Sequence, residues 1–238
     1  MLQINTSMIP CDKMVMFGQL TGTIVLEIKN LAADRGGYRL FEGVNFQLDA
    51  GRLMQLVGPN GAGKTTLLFI VAGLLVPANG QVRWNGQSVL HDRSMFAGAM
   101  SYLGHAAGLK ASLDPVKNLQ FLLALRGKKV RVQTIHDALN RVGLYGYECT
   151  AVGRLSAGQK RRVALARLYL EGSPLWVLDE PFTAIDLAGV GQLEQLLVDH
   201  ARQGGMILFT THHVMAGQEY VQQFDLADFR HAEEEYSN

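Results

Sequence analysis

Apolar positions change their period along this chain. In the first part they form short runs and alternations; from about Ser94 they recur every three or four residues, and after Leu155 the two patterns take turns. Thr23–Ile28 and Val44–Leu48 predict strands, the second from the alternation of Val44, Phe46 and Leu48. Leu53–Val57 is a continuous apolar run that predicts a buried strand, and Thr65–Leu74 reads as a helix. Gln81–Trp84 runs into Asn85-Gly86, the turn chemistry of an antiparallel hairpin. Ser94 to about Leu155 is mainly helical, with Val116–Leu125 and Val132–Val142 carrying the helical spacing, so a helical subdomain is predicted over about residues 94–158. A helix (Gln159–Leu170), a strand (Leu175–Leu178), a helix (Val190–Arg202) and a strand (Met206–Thr210) follow. That alternation belongs to a parallel sheet, and the fold class is α/β: a β-rich layer around a parallel core.

Composition narrows the partners. At 238 residues and 48% hydrophobic, the chain can bury one sizeable core, with residues 23–230 expected as one unit. A formal net charge of +1 argues against a basic face that coats nucleic acid. Cys11 and Cys149 lie far apart without C-x-x-C spacing, which suggests neither disulfide framework nor zinc site and fits a reducing cytoplasm. The apolar stretches Leu67–Val76 and Met206–Phe209 are too short to cross a bilayer as a helix, so any membrane contact is expected from another chain. Residues 1–22 lack the pattern of a signal peptide and are expected to be a weakly ordered extension; residues 231–238, with three consecutive glutamates, read as an acidic solvated tail.

The chemistry concentrates at two places. Gly58-Pro59-Asn60-Gly61-Ala62-Gly63-Lys64-Thr65, followed by Thr66, satisfies G-x-x-x-x-G-K-[ST] between an expected strand and an expected helix. Glycine lets the backbone approach a phosphate closely, and the N–H groups of the helix N-terminus point at the anion. A nucleoside triphosphate is implied, with Lys64 reaching the β- and γ-phosphates and the Thr65 hydroxyl ligating Mg²⁺. The second place is Leu175–Glu180, an apolar strand tipped by two carboxylates at the end where open α/β sheets bind ligands. Asp179 is suited to hold Mg²⁺ through water, and Glu180 to take a proton from, or orient, the water that attacks the γ-phosphate. Taken alone, the same pattern describes a strand running into a turn at Pro181. Between the two lies Leu155-Ser156-Ala157-Gly158-Gln159. Ser156 and Gln159 have the spacing of a capping box, and the small Ala157-Gly158 pair leaves the helix tip open to a phosphate.

In that order, phosphate loop, helical insert, Leu-Ser-Ala-Gly-Gln and acid-tipped strand resemble the nucleotide-binding subunits of ATP-binding cassette (ABC) transporters, over about residues 24–225. The resemblance implies a P-loop NTPase with a RecA-like mixed-sheet core, an antiparallel β subdomain and a helical subdomain. It also implies a head-to-tail dimer in which Ser156, Ala157, Gly158 and Gln159 of one copy meet the γ-phosphate held by the other. Ala184-Ile185-Asp186 resembles the family's D-loop, which crosses that interface. His212, directly after Thr210-Thr211, resembles the switch histidine, in preference to His213. Two positions depart from the family pattern: His105 stands where glutamine is usual, which leaves its metal contact open, and Arg35, with Tyr38 nearby, stands where an aromatic residue usually stacks on adenine. The cluster Lys160–Arg162 reads as a solvated helix face.

Within the family, Leu155–Leu168, Asp179–Asp186, Gly104-His105 and Gly108-Leu109-Lys110 are similar to the ATPases of bacterial cytochrome c maturation. That similarity implies ATP and Mg²⁺ as cofactors and a peripheral place on the cytoplasmic face of the inner membrane. Integral membrane partners resembling CcmB and CcmC are implied, with haem export or release of a haem-loaded chaperone as the energised step. The seven histidines form no haem-attachment motif, so no direct haem contact is expected. Another ABC exporter, or a soluble single-cassette ATPase, stays open as the alternative.

Overall fold

A computed structural model describes residues 25–215 and 220–230; the expectations for residues 1–22 and 231–238 lie outside them. Two sheets organise the chain. β1 (Val25–Arg35), β2 (Tyr38–Asp49), β4 (Asn79–Trp84) and β5 (Gln87–Ser88) form an antiparallel sheet in the order β2-β1-β4-β5. β3 (Leu53–Val57), β6 (Met100–Leu103), β7 (Leu175–Asp179), β8 (Met206–Thr210) and β9 (Val221–Asp225) form a parallel sheet in the order β6-β7-β8-β3-β9. Six α-helices complete the described residues: α1 (Lys64–Val71), α2 (Arg93–Ala99), α3 (Pro115–Leu125), α4 (Val132–Arg141), α5 (Ala157–Glu171) and α6 (Leu187–Arg202).

β7 and β8 are buried along their whole length, which is why they read as unbroken apolar runs. Successive side chains leave opposite faces. Leu175, Val177, Met206 and Leu208 join the core shared with α1 and the antiparallel sheet, whereas Trp176, Leu178, Ile207 and Phe209 join the core shared with α3 to α6. The hairpin between β4 and β5 turns at Asn85 (φ 49°) and Gly86 (φ 79°), as Asn-Gly predicts.

Two strands are absent from the sequence-based expectations. β6 interrupts the stretch expected to be mainly helical; it is four residues long, too short to show a period, and is a strand because Met100–Leu103 pair with Leu175–Leu178. β9, Val-Gln-Gln-Phe-Asp, is a partly exposed edge strand whose polar composition hides it until it pairs with β3. α3 begins where Asp114 caps it, its carboxylate accepting from the Lys117 N–H at 2.8 Å, with Pro115 at the first turn.

Candidate nucleotide-binding site

The loop between β3 and α1 has Gly58, Gly61 and Gly63 at φ 133°, 82° and 95°, conformations in which a side chain would be strained. Gly63 is doubly required, since a Cβ there would stand 2.9 Å from the Phe41 ring. No side chain caps α1, so its first N–H groups face outward from the loop. Lys64 Nζ folds back and donates to the carbonyls of Gly58 at 2.7 Å and Pro59 at 3.1 Å. Ala62 is buried and donates its N–H to the Pro59 carbonyl at 3.2 Å, closing the turn.

The strand-end acids meet this loop. Thr65 Oγ1 donates to Asp179 Oδ2 at 3.0 Å, and Thr210 Oγ1 donates to Asp179 Oδ1 at 2.7 Å. Thr210 also accepts the Glu180 N–H at 3.0 Å, so one buried hydroxyl at the end of β8 aligns both acids of β7. Glu180 is one of the few non-glycine residues at positive φ, 49°. Its carboxylate lies 3.7 Å from His212 Nε2, with the histidine side chain 74% exposed and the glutamate 26%. The neighbouring His213 turns the other way, to Glu194 at 2.8 Å and to the Phe182 ring at 4.8 Å. Of the two histidines, then, His212 faces the acids.

These groups line one cleft of about 380 Å³. Asn60, Gly61, Gly63, Lys64, Thr65 and Thr66 form one wall, and Asp179, Glu180 and His212 the facing one. His105 and Arg35 complete it, whereas Tyr38 is exposed and does not line it. Tyr102, below, has its hydroxyl pushed up to about 12 by burial and by the charge of Asp179, which keeps it a neutral phenol. The Thr65 and Asp179 oxygens are hard donors side by side. Among the described residues no group of three or more His, Cys, Asp and Glu could hold a metal by itself. The Thr65–Asp179 pair fits Mg²⁺, which takes one or two protein oxygens and completes its shell with phosphate and water.

Ser156 and its neighbours do not enter this cleft. Ser156 is exposed and caps α5: its hydroxyl accepts the Gln159 N–H at 3.1 Å, and the Gln159 side chain accepts the Ser156 N–H at 2.9 Å. Gly158 has a requirement inside the chain that its sequence did not suggest, because a Cβ there would sit 2.4 Å from the Ala184 carbonyl. Asp186 caps α6 through the Gly189 N–H at 3.0 Å and pairs with Arg162. The Gly189 N–H first, then Arg162, holds its carboxyl below the usual range.

Lys160–Arg162 is not a solvated face as a whole. Arg161 is 5% exposed and turns inward, donating to the carbonyls of Gly104 (2.6 Å), Asp179 (2.9 Å), Glu180 (2.8 Å) and Pro181 (3.3 Å). Burial lowers its pKa, and Asp179, Tyr102 and Glu180 counter that shift. Three consecutive cations in sequence carry no sign of which one turns inward.

The ABC transporter family matches residues 41–183. The cytochrome c biogenesis ATP-binding export protein CcmA of Methylococcus capsulatus is 50% identical over 79% of this chain and 90% of its own length. Its counterpart in Vibrio cholerae is 48% identical over 80% and 92%. The chain belongs to the ABC transporter family, on the CcmA branch. As a member of that family it binds ATP. Its fold is shared by a dimeric ATP-binding cassette solved with ADP and phosphate after hydrolysis, which superposes with a TM-score of 0.73 at 20% identity, over 84% of this chain and 94% of that one. No helix among the described residues of this ABC protein is long and apolar enough to cross a membrane.

Proposed function

We propose that this chain is the ATP-hydrolysing subunit of an export complex for cytochrome c biogenesis, energising haem export or release of a haem-loaded chaperone. It works as a head-to-tail pair with integral membrane subunits resembling CcmB and CcmC, from the cytoplasmic face of the inner membrane. The observation that carries this reading is the single cleft in which Lys64, the Thr65–Asp179 pair, Glu180 and His212 converge.

The chain's own groups divide the work. Backbone N–H groups of Asn60, Gly61 and Gly63–Thr66 cradle the phosphates, and Lys64 exchanges the carbonyls of Gly58 and Pro59 for the β- and γ-phosphates. Glu180 takes the proton of the attacking water, and His212, 3.7 Å away, hydrogen-bonds to the γ-phosphate. Thr65 and Asp179 would hold Mg²⁺, which when bound neutralises charge on the phosphate oxygens. His105 lines the cleft as a hydrogen-bonding side chain beside the phosphate oxygens. Ser156, Ala157, Gly158 and Gln159 are left for the nucleotide of a second copy. The exposure of Ser156 and Ala157, outside the chain's own cleft, supports that division, as does Leu187, 93% exposed beside Asp186.

The test uses the full chain purified with its membrane partners. Glu180→Gln should lower ATP turnover by about 100-fold or more while leaving nucleotide bound and the dimer trapped. Lys64→Ala should weaken nucleotide binding itself. Undiminished turnover in Glu180→Gln would remove the glutamate from the mechanism, and a drug- or lipid-type permease co-purifying in place of the CcmB-like subunit would reassign the cargo.

A further inference from the structure

Glu180 sits in a left-handed conformation without glycine's freedom, so something outside its own backbone must hold it there. Its φ and ψ are the rotations of the two peptide planes on either side of its Cα. The carbonyls of those planes belong to Asp179 and Glu180, and both accept from the same nitrogen, Nη2 of Arg161, at 2.9 and 2.8 Å. Nε of the same guanidinium takes the next carbonyl, Pro181, at 3.3 Å. Nη1 reaches across to Gly104 at 2.6 Å, the residue before His105. One planar, buried group therefore pins both peptide planes of Glu180 and the root of the His105 loop, two walls of one cleft.

We propose that Arg161 is a positioning residue for ATP hydrolysis, acting through Glu180; this rests on the assignment of Glu180 as the proton acceptor. With its peptide planes released, Glu180 relaxes from φ 49° toward the ordinary regions and its carboxylate swings away from the water it must meet. Lysine cannot replace the arginine: it brings the charge but not a rigid fork of donors. The location on α5 adds a second consequence. The same helix carries Ser156 at its tip, packs Gly158 against the Ala184 carbonyl and pairs Arg162 with Asp186. Residues 179–186 are thus clamped to α5 at three points, and the helix tip turned toward a partner's nucleotide is joined rigidly to the acid serving the chain's own.

The experiment measures steady-state ATP turnover and fluorescent ATP-analogue binding on the full chain with its membrane partners, for wild type, Arg161→Met, Arg161→Lys and each in a Glu180→Gln background. Arg161→Met should lower kcat about 10- to 100-fold while KM and analogue affinity stay within about twofold, and Arg161→Lys should recover only part of the loss. In the Glu180→Gln background the same change should cost less than about twofold, because the group it positions is gone. If Arg161→Met fails to fold, Arg161→Lys carries the same comparison. A kcat loss that multiplies undiminished onto Glu180→Gln, or one matched by lost analogue binding, would overturn the proposal. If Glu180→Gln is crippled and the Arg161 variants are not, this proposal alone falls; if Glu180→Gln turns over normally, both assignments fall.

Discussion

At the carboxyl ends of β7 and β8, Asp179, Glu180, Thr210 and His212 face an open cleft; at the opposite ends of the same sheet, charged and polar groups are sealed in. There Glu171, 1% exposed, pairs with Arg126 and Arg167 at 3.4 Å each and accepts from Ser101. Beside it, His200 stacks on Trp176 with ring centroids 3.7 Å apart and meets the Pro174 carbonyl at 3.3 Å. Each end thus places carboxylate and imidazole near a strand terminus. The difference lies in who satisfies them. Glu171 is paired side chain to side chain with two guanidinium groups, whereas the Asp179 carboxylate meets two hydroxyls and the Glu180 carboxylate an exposed histidine, with Arg161 nearby spending its donors on main-chain carbonyls; this leaves capacity for a ligand. Charge alone does not mark a site; charge left incompletely paired at the ligand-binding end of the sheet does.

The sharpest way to break this contrast is Glu171→Gln. It strips two half-buried guanidinium groups of their buried counter-charge, and the expected loss is about 3 kcal/mol of folding stability by denaturant titration, at the low end for a buried pair because both cations keep some solvent. Turnover per folded molecule should hold within about twofold; a large fall in kcat at unchanged stability would erase the distinction. Thr210→Val is the counterpart at the open end. It keeps the shape but removes the donor to Asp179 and the acceptor of the Glu180 N–H, at about 1–3 kcal/mol. Here kcat should fall by at least about tenfold, because both acids lose alignment.

The smallest effect near neutral pH belongs to His200, whose pKa burial lowers from 6.5 to about 4. The unfolded chain binds a proton there between those values and the folded chain does not. Its contribution is therefore fully present above about pH 6.5 and is lost as pH falls toward 4. Denaturation midpoints across that window should fall less steeply for His200→Phe than for wild type, while ATP turnover at neutral pH is preserved. An unchanged slope would mean that the ring is protonated in the folded protein.

Legibility in the sequence followed the range of the interaction. Gly58–Thr65 could be read because each position answers to a local demand: positive φ, a helix tip, a cation, a hydroxyl. Ser156 and Gln159 were legible as a capping box for the same reason, being three residues apart. The preference for His212 over His213 came from its place after Thr210-Thr211; in the structure His212 lies beside Glu180, while Glu194 holds His213 elsewhere. Arg161 was not legible, since nothing separates it from Lys160 and Arg162 until the carbonyls of β7 and Gly104 are brought against α5. β6 and β9 were hidden likewise, one by its length and the other by its polar edge position.

By itself the sequence determined the nucleotide chemistry, the parallel core and the order of the parts, because these rest on short-range conformational demands and on runs of apolar residues that must be buried. Only the tertiary structure decided which acid is held in a strained conformation, which arginine holds it, and why Gly158 and Gly63 admit no side chain. Those depend on contacts between residues far apart in the chain, and one residue's identity does not specify what another segment will place against it.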